Sequence, residues 1–194
     1  MKVKFFISDM SNVFRLIRKI YFPNSIYITD KYHFVRQLTW ALEAVRKEEQ
    51  KKMTRKDRIY YKRSKSLLNK PRSKLTDEEK IKVSIMLEKN ERIRQAYKLK
   101  EEFYENVLIQ TDKKVAKKAL LNWIEEAKKI KERCFKACIT AYKNWTDSIA
   151  NSLQYKYNNG YLEGTHNKIK AIKRITFGMK NFRKFRNKIL LTLN

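Results

Sequence analysis

Residues 157–186 read YNNGYLEGTHNKIKAIKRITFGMKNFRKFR, the most distinctive stretch of this 194-residue sequence. All three glycines of the chain lie in it. From Thr165 to the last residue there is no Asp or Glu, although the same segment carries nine lysines and arginines. Glu163 is therefore a single acid at the N-terminal end of a basic segment.

A helix over 162–176 would separate the side chains of this stretch into two faces. One face carries an acid, an amide and two cations in a row, namely Glu163, Asn167, Lys170 and Arg174. The opposite face carries Ile169, Ile172 and Thr176. Periodicity alone favours an ordinary surface helix whose Glu-to-cation pairing is worth roughly 0.3 kcal/mol. A functional polar face is the other interpretation.

The order of residues in this stretch resembles the end of the catalytic domain of bacterial insertion-sequence transposases of the DDE class. Their pattern is N-G-x-x-E-G-x-N-N-x-I-K-x-x-K-R, followed by G-x-x-N-F-x-x-F-R. The matching positions are Asn159, Gly160, Glu163, Gly164, Asn167, Ile169, Lys170, Lys173, Arg174, Gly178, Asn181, Phe182, Phe185 and Arg186. His166 departs from the pattern, because the family usually has Asn there. The resemblance implies that Glu163 is the last of three metal-binding carboxylates.

The charge of the chain points to a polyanionic partner. The formal net charge is +27 and the isoelectric point is near 10.1, a balance typical of proteins that bind nucleic acid. A lysine-rich coding bias would account for scattered lysines, but it accounts less well for the acid-free tail. With the resemblance, the expected DNA-binding residues are Lys168, Lys170, Lys173, Arg174, Arg183 and Arg186.

The first thirty residues predict a parallel βαβ unit. A short run of β-formers, residues 2–8, ends at Asp9, and a second strand, residues 25–29, ends at Asp30. Between them Ser11 is placed to cap a helix. The apolar residues of that helix have core spacing: Val13, Leu16, Ile17 and Ile20. Acids at the carboxyl ends of parallel strands lie where α/β sheets hold ligands and metals.

The same region, FISDMS and then FPNSIYITDKYHFVRQ, resembles the transposase pattern as well. The resemblance implies that Asp9 is the second catalytic carboxylate. Asp30 and His33 match a D-x-x-H pair found after the next strand in several such families. We expect accessory roles for Asp30, His33 and Asn167, while Asp30 also suits a simpler role as the N-cap of the following helix.

Residues 34–153 carry helical signals and no glycine. Phe34, Leu38, Ala41 and Val45 form an apolar stripe, and Thr76 with Glu79 forms a capping box. The basic stretch from Lys51 to Lys65 is either a DNA contact or a solvated face, and its composition favours the solvated face. The predicted fold class is mainly α with a small parallel βαβ unit. Residues 1–33 form part of a truncated RNase H-like core, 34–153 an α-helical insertion, and 154–194 the helices that complete the core.

The resemblance implies a concrete activity, namely the cutting and joining of insertion-sequence ends by two-metal phosphoryl transfer with Mg²⁺ or Mn²⁺. The family's first catalytic Asp lies on an earlier strand, so the sequence resembles the C-terminal half of a transposase. We therefore expect a fragment that is inactive alone, and an upstream reading frame that encodes the missing strands. The implied partners are the insertion-sequence ends, the target DNA and further copies of the chain in a DNA complex.

Cys134 and Cys138 are the two cysteines, and their spacing of four on a helix predicts small buried residues rather than a disulfide. We see no secretory signal and no apolar run long enough to span a membrane. These features indicate a cytoplasmic protein that associates with the nucleoid through DNA. The alternative function is that of a non-enzymatic, basic helical protein that binds nucleic acid.

Overall fold

The computed structural model describes residues 3–63 and 65–193. Lys2, at the start of the first predicted strand, and Ser64, within the basic stretch, lie outside the described residues, as do Met1 and Asn194. The described chain forms two compact units, which divide between Tyr157 and Asn158. The first unit contains both strands and most of the helices, and the second contains two helices.

The first unit begins with the parallel βαβ arrangement that the sequence predicts. Strand β1 is Phe5–Ser8, helix α1 is Asn12–Tyr21 and strand β2 is Ile26–Thr29. The two strands pair in parallel, with Phe5 opposite Ile26 and Ser8 opposite Thr29. The small parallel βαβ unit is therefore confirmed, whereas the wider RNase H-like core stays a prediction.

Helices make up most of the described chain after β2. Their bounds are α2 Lys31–Gln50, α3 Arg55–Arg63, α4 Lys65–Asn69, α5 Asp77–Lys89, α6 Glu91–Glu102, α7 Lys113–Lys129 and α8 Lys136–Tyr155. A π-helical turn, Phe103–Val107, follows α6, and short 3-10 turns lie at Arg72–Lys74 and Arg133–Phe135. The second unit contains α9, Gly160–Ile175, and α10, Phe182–Leu193.

Several of these helices begin where local sequence signals place them. Thr76 and Glu79 exchange both hydrogen bonds of a capping box at the start of α5. Asp112 caps α7 by accepting from the backbone N–H groups of Lys114 and Val115. Ser11 occupies the N-cap position of α1 but makes no side-chain capping bond.

The core of the first unit lies between α2, α6, α7 and α8. Phe34, Leu38, Ala41 and Val45, the apolar stripe predicted for α2, are all buried. Phe103, Trp123 and Tyr142 form an aromatic cluster beside it, with ring centroids 5.1–5.4 Å apart. Helix α8 also packs on the sheet, because Asn151 Nδ2 donates to the carbonyl of Tyr27 at 2.8 Å and Thr29 Oγ1 donates to Ser148 Oγ at 2.7 Å.

The orientation predicted for α1 is wrong. Its apolar residues were expected to face the core, yet Val13, Leu16 and Ile20 are exposed and Ile17 is half-buried. The helix is held by its basic side instead. Arg15 lies over the ring of Trp145, and Arg18 donates to the carbonyl of Ser25. These two contacts attach the basic face of α1 to Trp145 of α8 and to Ser25, the residue before β2.

Both cysteines are free thiols, and their chemistry is that of shielded residues. Cys138 is buried in α8, whereas Cys134 is half-buried and lies in the 3-10 turn before α8 rather than on the same helix. Burial raises the pKa of Cys138 to about 12 and that of Cys134 to about 11, the latter with help from Glu132. Both thiols are therefore poor nucleophiles at neutral pH.

The second unit is a pair of helices joined by a tight turn. Helices α9 and α10 contact each other. The turn between them has two residues with positive φ, Phe177 at 51° and Gly178 at 72°. The backbone N–H of Gly178 donates to the carbonyl of Lys173 at 2.9 Å. A glycine suits this position because the left-handed backbone carries no penalty without a Cβ.

Candidate metal and DNA site

The parallel register brings two acids to the same end of the sheet. Ser8 pairs with Thr29, and Asp9 and Asp30 are the next residues on their strands. The backbone N–H of Asp30 donates to the carbonyl of Ser8 at 2.8 Å. Because neighbouring strands lie about 4.8 Å apart, the backbones of Asp9 and Asp30 are close at the carboxyl edge. This is the edge where open α/β sheets place ligands.

One carboxylate oxygen of Asp9 is buried and has no hydrogen-bond partner within the described residues. Such an atom is costly to leave unsatisfied. The backbone of Asp9 is by contrast well held, since its carbonyl accepts from Ser8 Oγ at 2.9 Å and from Tyr27 Oη at 3.1 Å. The backbone of Asp9 is thus held in place, while one oxygen of its carboxylate has no hydrogen-bond donor among the described residues.

Tyr27 and Ser8 connect the two strands behind Asp9. Their hydroxyl oxygens are 2.6 Å apart, and the ring of Tyr27 packs on Trp145 with a centroid distance of 5.6 Å. Burial, and to a smaller extent the charge of Asp9, raises the pKa of the Tyr27 phenol. The phenol is therefore protonated at neutral pH and serves as a hydrogen-bond donor to the Asp9 carbonyl.

The contacts that Ser8 and Tyr27 make with the Asp9 carbonyl were not predicted from the sequence, in which both residues were assigned only to strands. The signal that would find Tyr27 is the strand register, because two parallel strands ending in acids place residue 27 beside residues 6 and 8. Register follows from pairing in three dimensions, so the sequence pattern alone did not indicate these contacts.

Asp30 is buried and is the N-cap of α2, as the simpler interpretation predicted. Its Oδ1 accepts from the backbone N–H of Tyr32 at 2.9 Å. His33 lies in the first turn of α2, where its Nδ1 is 3.2 Å from a guanidinium nitrogen of Arg36. The structural role of Asp30 is thus clear, while the accessory roles predicted for Asp30 and His33 stay predictions.

Helix α9 has the two faces that its sequence predicts. Ile172 is buried and Ile169 is half-buried. On the other face the four polar residues are exposed: Glu163, Asn167, Lys170 and Arg174. The exposed face leaves the Glu163 carboxylate and both cations accessible to a ligand. Glu163 belongs to the second unit, so its approach to Asp9 stays a prediction.

The remaining cations of the predicted DNA surface lie on the same two helices. Lys168 and Lys173 are exposed on α9, and Arg183 and Arg186 are exposed on α10. Within the described residues no group of three or more His, Cys, Asp or Glu side chains is arranged to hold a metal ion. Asp9 has a buried carboxylate oxygen that lacks a donor among the described residues, and hard cations take such oxygens as ligands.

The chain thus carries acids directly after two parallel strands and, in its second unit, a basic pair of helices. Comparison with known families identifies the class of protein. The family model for DDE transposases of the ISL3 type, described as Transposase, matches residues 1–189. The chain belongs to this transposase family, which confirms the resemblance found in the sequence.

Two further comparisons bear on the chain. No curated protein and no solved structure matches it. In the described part of the chain, no helix has the length and apolar character needed to cross a bilayer. Family membership supports DNA transposition as the general activity and DNA as the partner.

Proposed function

We propose that this chain acts in DNA transposition by supplying Asp9 and Glu163 as carboxylate ligands for Mg²⁺ or Mn²⁺. The observation that carries the proposal is the buried oxygen of Asp9 at the carboxyl end of β1, which lacks a partner among the described residues. A divalent cation would satisfy that oxygen. Residues 1–33 and 154–194 form the catalytic part in this proposal, as in an RNase H-like fold, and 34–153 is the helical insertion.

In this proposal the residues of the chain position the carboxylates that bind the metal ions. When bound, a pair of divalent ions activates the attacking oxygen and stabilises the leaving oxygen in displacement at phosphorus. The hydroxyl groups of Ser8 and Tyr27 lie 2.9 and 3.1 Å from the backbone carbonyl oxygen of Asp9. These hydrogen bonds fix the backbone position from which the Asp9 carboxylate extends. A metal-binding side chain on a backbone held in this way stays closer to the productive geometry than a side chain on a flexible backbone. Glu163 offers the second carboxylate from the first turn of α9.

The exposed face of α9 would bind the DNA strand that leaves the site. Lys170 and Arg174 lie about 10 and about 16 Å along the helix from Glu163, given a rise of about 1.5 Å per residue. Ionic contacts at these distances neutralise phosphates and fix the register of the strand without reading its sequence. Asn167, one turn beyond Glu163, is placed to orient the same strand as an accessory residue.

We assign Asp30 and His33 to the accessory role of supporting the Asp9 edge. Asp30 ties the start of α2 to the end of β2 through its cap, and His33 contacts Arg36. The DNA partners are insertion-sequence ends and target DNA, bound by more than one copy of the chain.

Metal binding tests the proposal directly. We would titrate Mn²⁺ into the chain and follow the free ion by electron paramagnetic resonance, comparing the parent with Asp9→Asn and Glu163→Gln. Each substitution keeps the size and polarity of the side chain but removes its charge. We expect each to weaken Mn²⁺ binding at least tenfold. Unchanged binding in Asp9→Asn would overturn the proposal.

Asp112→Asn is the matched control, because Asn also caps a helix and Asp112 caps α7. It should bind Mn²⁺ like the parent. Asp30→Asn keeps the cap of α2 for the same reason, so any loss of Mn²⁺ affinity in it would show direct participation of Asp30. Binding of DNA combined with no carboxylate-dependent uptake of Mn²⁺ would favour the non-enzymatic alternative.

A further inference from the structure

A groove of about 820 Å³ lies between the C-terminal half of α2 and helix α3. We call it the basic groove. Its lining contains no acid and includes six cations: Arg46, Lys47, Lys51, Arg55, Arg58 and Lys62. Met53, Gln50 and Ile59 complete it. The groove is part of the helical block and contains none of the residues assigned above to metal or DNA.

Two of the six cations share a single acid, Glu43. Arg46 is buried and makes a two-bonded contact with Glu43, with both nitrogen-to-oxygen distances at 2.7 Å. Lys47 Nζ lies 4.0 Å from the same carboxylate. The other four cations, Lys51, Arg55, Arg58 and Lys62, are exposed and form no ion pair with any acid in residues 3–63 and 65–193. Their charges are available to a ligand.

The acid of α3 is turned away from this surface. Asp57 is 3.1 Å from Lys89 Nζ and 2.9 Å from Thr54 Oγ1. The Lys89 contact, followed by the Thr54 bond, holds the pKa of Asp57 below its usual range, so the carboxylate stays ionised in that pair. The groove face of α3 therefore keeps its positive charge without local compensation.

The groove is built on anchored helices rather than on loose ones. Arg46 and Gln50 of α2 reach α3, since Gln50 Nε2 donates to the carbonyl of Arg58 at 2.8 Å. Tyr61, on the inner side of α3, is buried and donates to the carbonyl of Met86 in α5 at 2.6 Å. The backbone of a fixed helix loses little conformational freedom when a ligand binds to its side chains.

The spacing of the cations fits a linear polyanion. Arg55, Arg58 and Lys62 follow one another at i, i+3 and i+7, which places them on one side of α3. They span about 10 Å along the helix axis, given about 1.5 Å per residue. One strand of DNA presents a phosphate about every 3.4 Å of duplex axis, so this row faces roughly three phosphates, with Lys51 extending it at the end of α2. A single small phosphate would use only part of it.

We propose that the basic groove binds the sugar–phosphate backbone of DNA, as a second contact surface separate from α9. The inference rests on the proposed function for the choice of DNA as the polyanion. Contacts of this kind position the duplex and carry no sequence preference. The basic groove thus gives the helical insertion a role in holding DNA during transposition.

The test is the dependence of DNA affinity on salt. We would measure binding of the whole chain to a fluorescent duplex over a range of NaCl concentrations. The groove variant carries Lys51→Gln, Arg55→Gln, Arg58→Gln and Lys62→Gln. Each lost phosphate contact should flatten the slope of log affinity against log salt by about one, so we expect a change of up to about four.

A charge-matched control separates a local surface from bulk charge. The control variant carries Lys74→Gln, Lys114→Gln, Lys118→Gln and Lys136→Gln, four residues outside the groove. We expect its slope to change by less than about one, because these residues would touch no phosphate. Equal changes in the groove and control variants would overturn the proposal. Circular dichroism melts of both variants check that the fold is kept.

A third variant keeps this inference distinct from the proposed function. Lys170→Gln, Lys173→Gln and Arg174→Gln together remove the cations of α9. If the slope of log affinity against log salt flattens in this variant but not in the groove variant, only the inference about the basic groove is wrong. If the parent does not bind DNA, the proposed function fails as well. Stronger binding of an RNA duplex than of the matched DNA duplex by the groove would overturn the assignment of DNA.

Discussion

The guanidinium of Arg15 lies over the indole ring of Trp145, with Cζ 3.6 Å from the ring centroid. The same guanidinium donates to the carbonyl of Asn144. Trp145 itself has non-helical dihedral angles, φ −121° and ψ 15°, so α8 is interrupted at this point. Arg15 therefore binds α1 to the kink in α8, where Trp145 also packs on Tyr27 of β2.

Arg15→Met should loosen this attachment. The substitution keeps the length of the side chain but removes the cation–π contact and the hydrogen bond to Asn144. We expect a loss of about 1 kcal/mol in the free energy of unfolding, measured by urea denaturation. Lys19→Met on the same helix is the control, because Lys19 is exposed and should change stability by less than about 0.5 kcal/mol. Equal effects would show that the Arg15 contact contributes nothing specific.

The outward direction of the apolar side of α1 leads to a second prediction. Leu16 is exposed, whereas Leu38 of α2 is fully buried. Leu16→Ala should therefore cost less than about 0.5 kcal/mol, and Leu38→Ala should cost about 2–5 kcal/mol. Helix propensity does not confuse the comparison, because Ala is at least as good a helix former as Leu. Comparable losses in thermal and urea unfolding would show that Leu16 packs in a core after all.

The success and failure of sequence analysis follow from the range of the interactions involved. The capping box of Thr76 and Glu79 was predicted because it involves neighbouring residues only. The stripe from Phe34 to Val45 was predicted because periodicity alone places it on one face. These local signals placed the buried face of α2 and the start of α5 correctly.

Local signals did not predict which face of α1 turns inward or which residues contact Asp9. Amphipathic spacing indicates that α1 has an apolar face, but it does not say which face turns inward. Arg15 and Trp145 are 130 positions apart in the sequence, so no local pattern indicates their contact. The contact of Tyr27 with Asp9 depends likewise on strand register. Both are tertiary effects that override local pattern.

Acid should weaken the protein through a cluster around Arg92. Arg92 makes a two-bonded contact with Glu132, at 2.6 and 2.7 Å, and contacts Glu49 at 3.0 Å. The bond from Arg92 lowers the pKa of Glu132 to about 2, and bonds from Lys52, Asn90 and Arg92 lower that of Glu49 to about 2. Both pKa values lie below the ordinary value of 4.5, so the unfolded chain takes up protons first as the pH falls.

The stabilisation is therefore complete above about pH 5 and is lost as the pH falls toward about 2. Arg92→Met should cost about 3 kcal/mol at neutral pH and should flatten the loss of stability across this acid range. Urea unfolding at several pH values measures both effects. Glu126→Gln, which affects only an exposed pair with Lys129, should leave the pH profile unchanged. A parallel profile for Arg92→Met and the parent would contradict the assignment.

The last prediction concerns the two carboxylates of the proposed metal site. Two metal ions about 3.5–4 Å apart require their ligands to approach closely, so the carboxylates of Asp9 and Glu163 are predicted to lie within roughly 4–8 Å. A chain carrying Asp9→Cys and Glu163→Cys should then be joined rapidly by a short bismaleimide at neutral pH. The product is a linked pair of tryptic peptides, identified by mass spectrometry.

The native thiols should not interfere, because burial raises the pKa of Cys138 to about 12 and that of Cys134 to about 11. The unsubstituted chain tests this point and should give no linked product. Asp112→Cys with Glu163→Cys serves as the comparison pair. If single cysteines at 9 and 163 each react with a monofunctional maleimide but the pair gives no link in the folded chain, Asp9 and Glu163 do not share a site. The chain would still belong to the transposase family, but the proposal that Asp9 and Glu163 bind the same metal ions would be wrong.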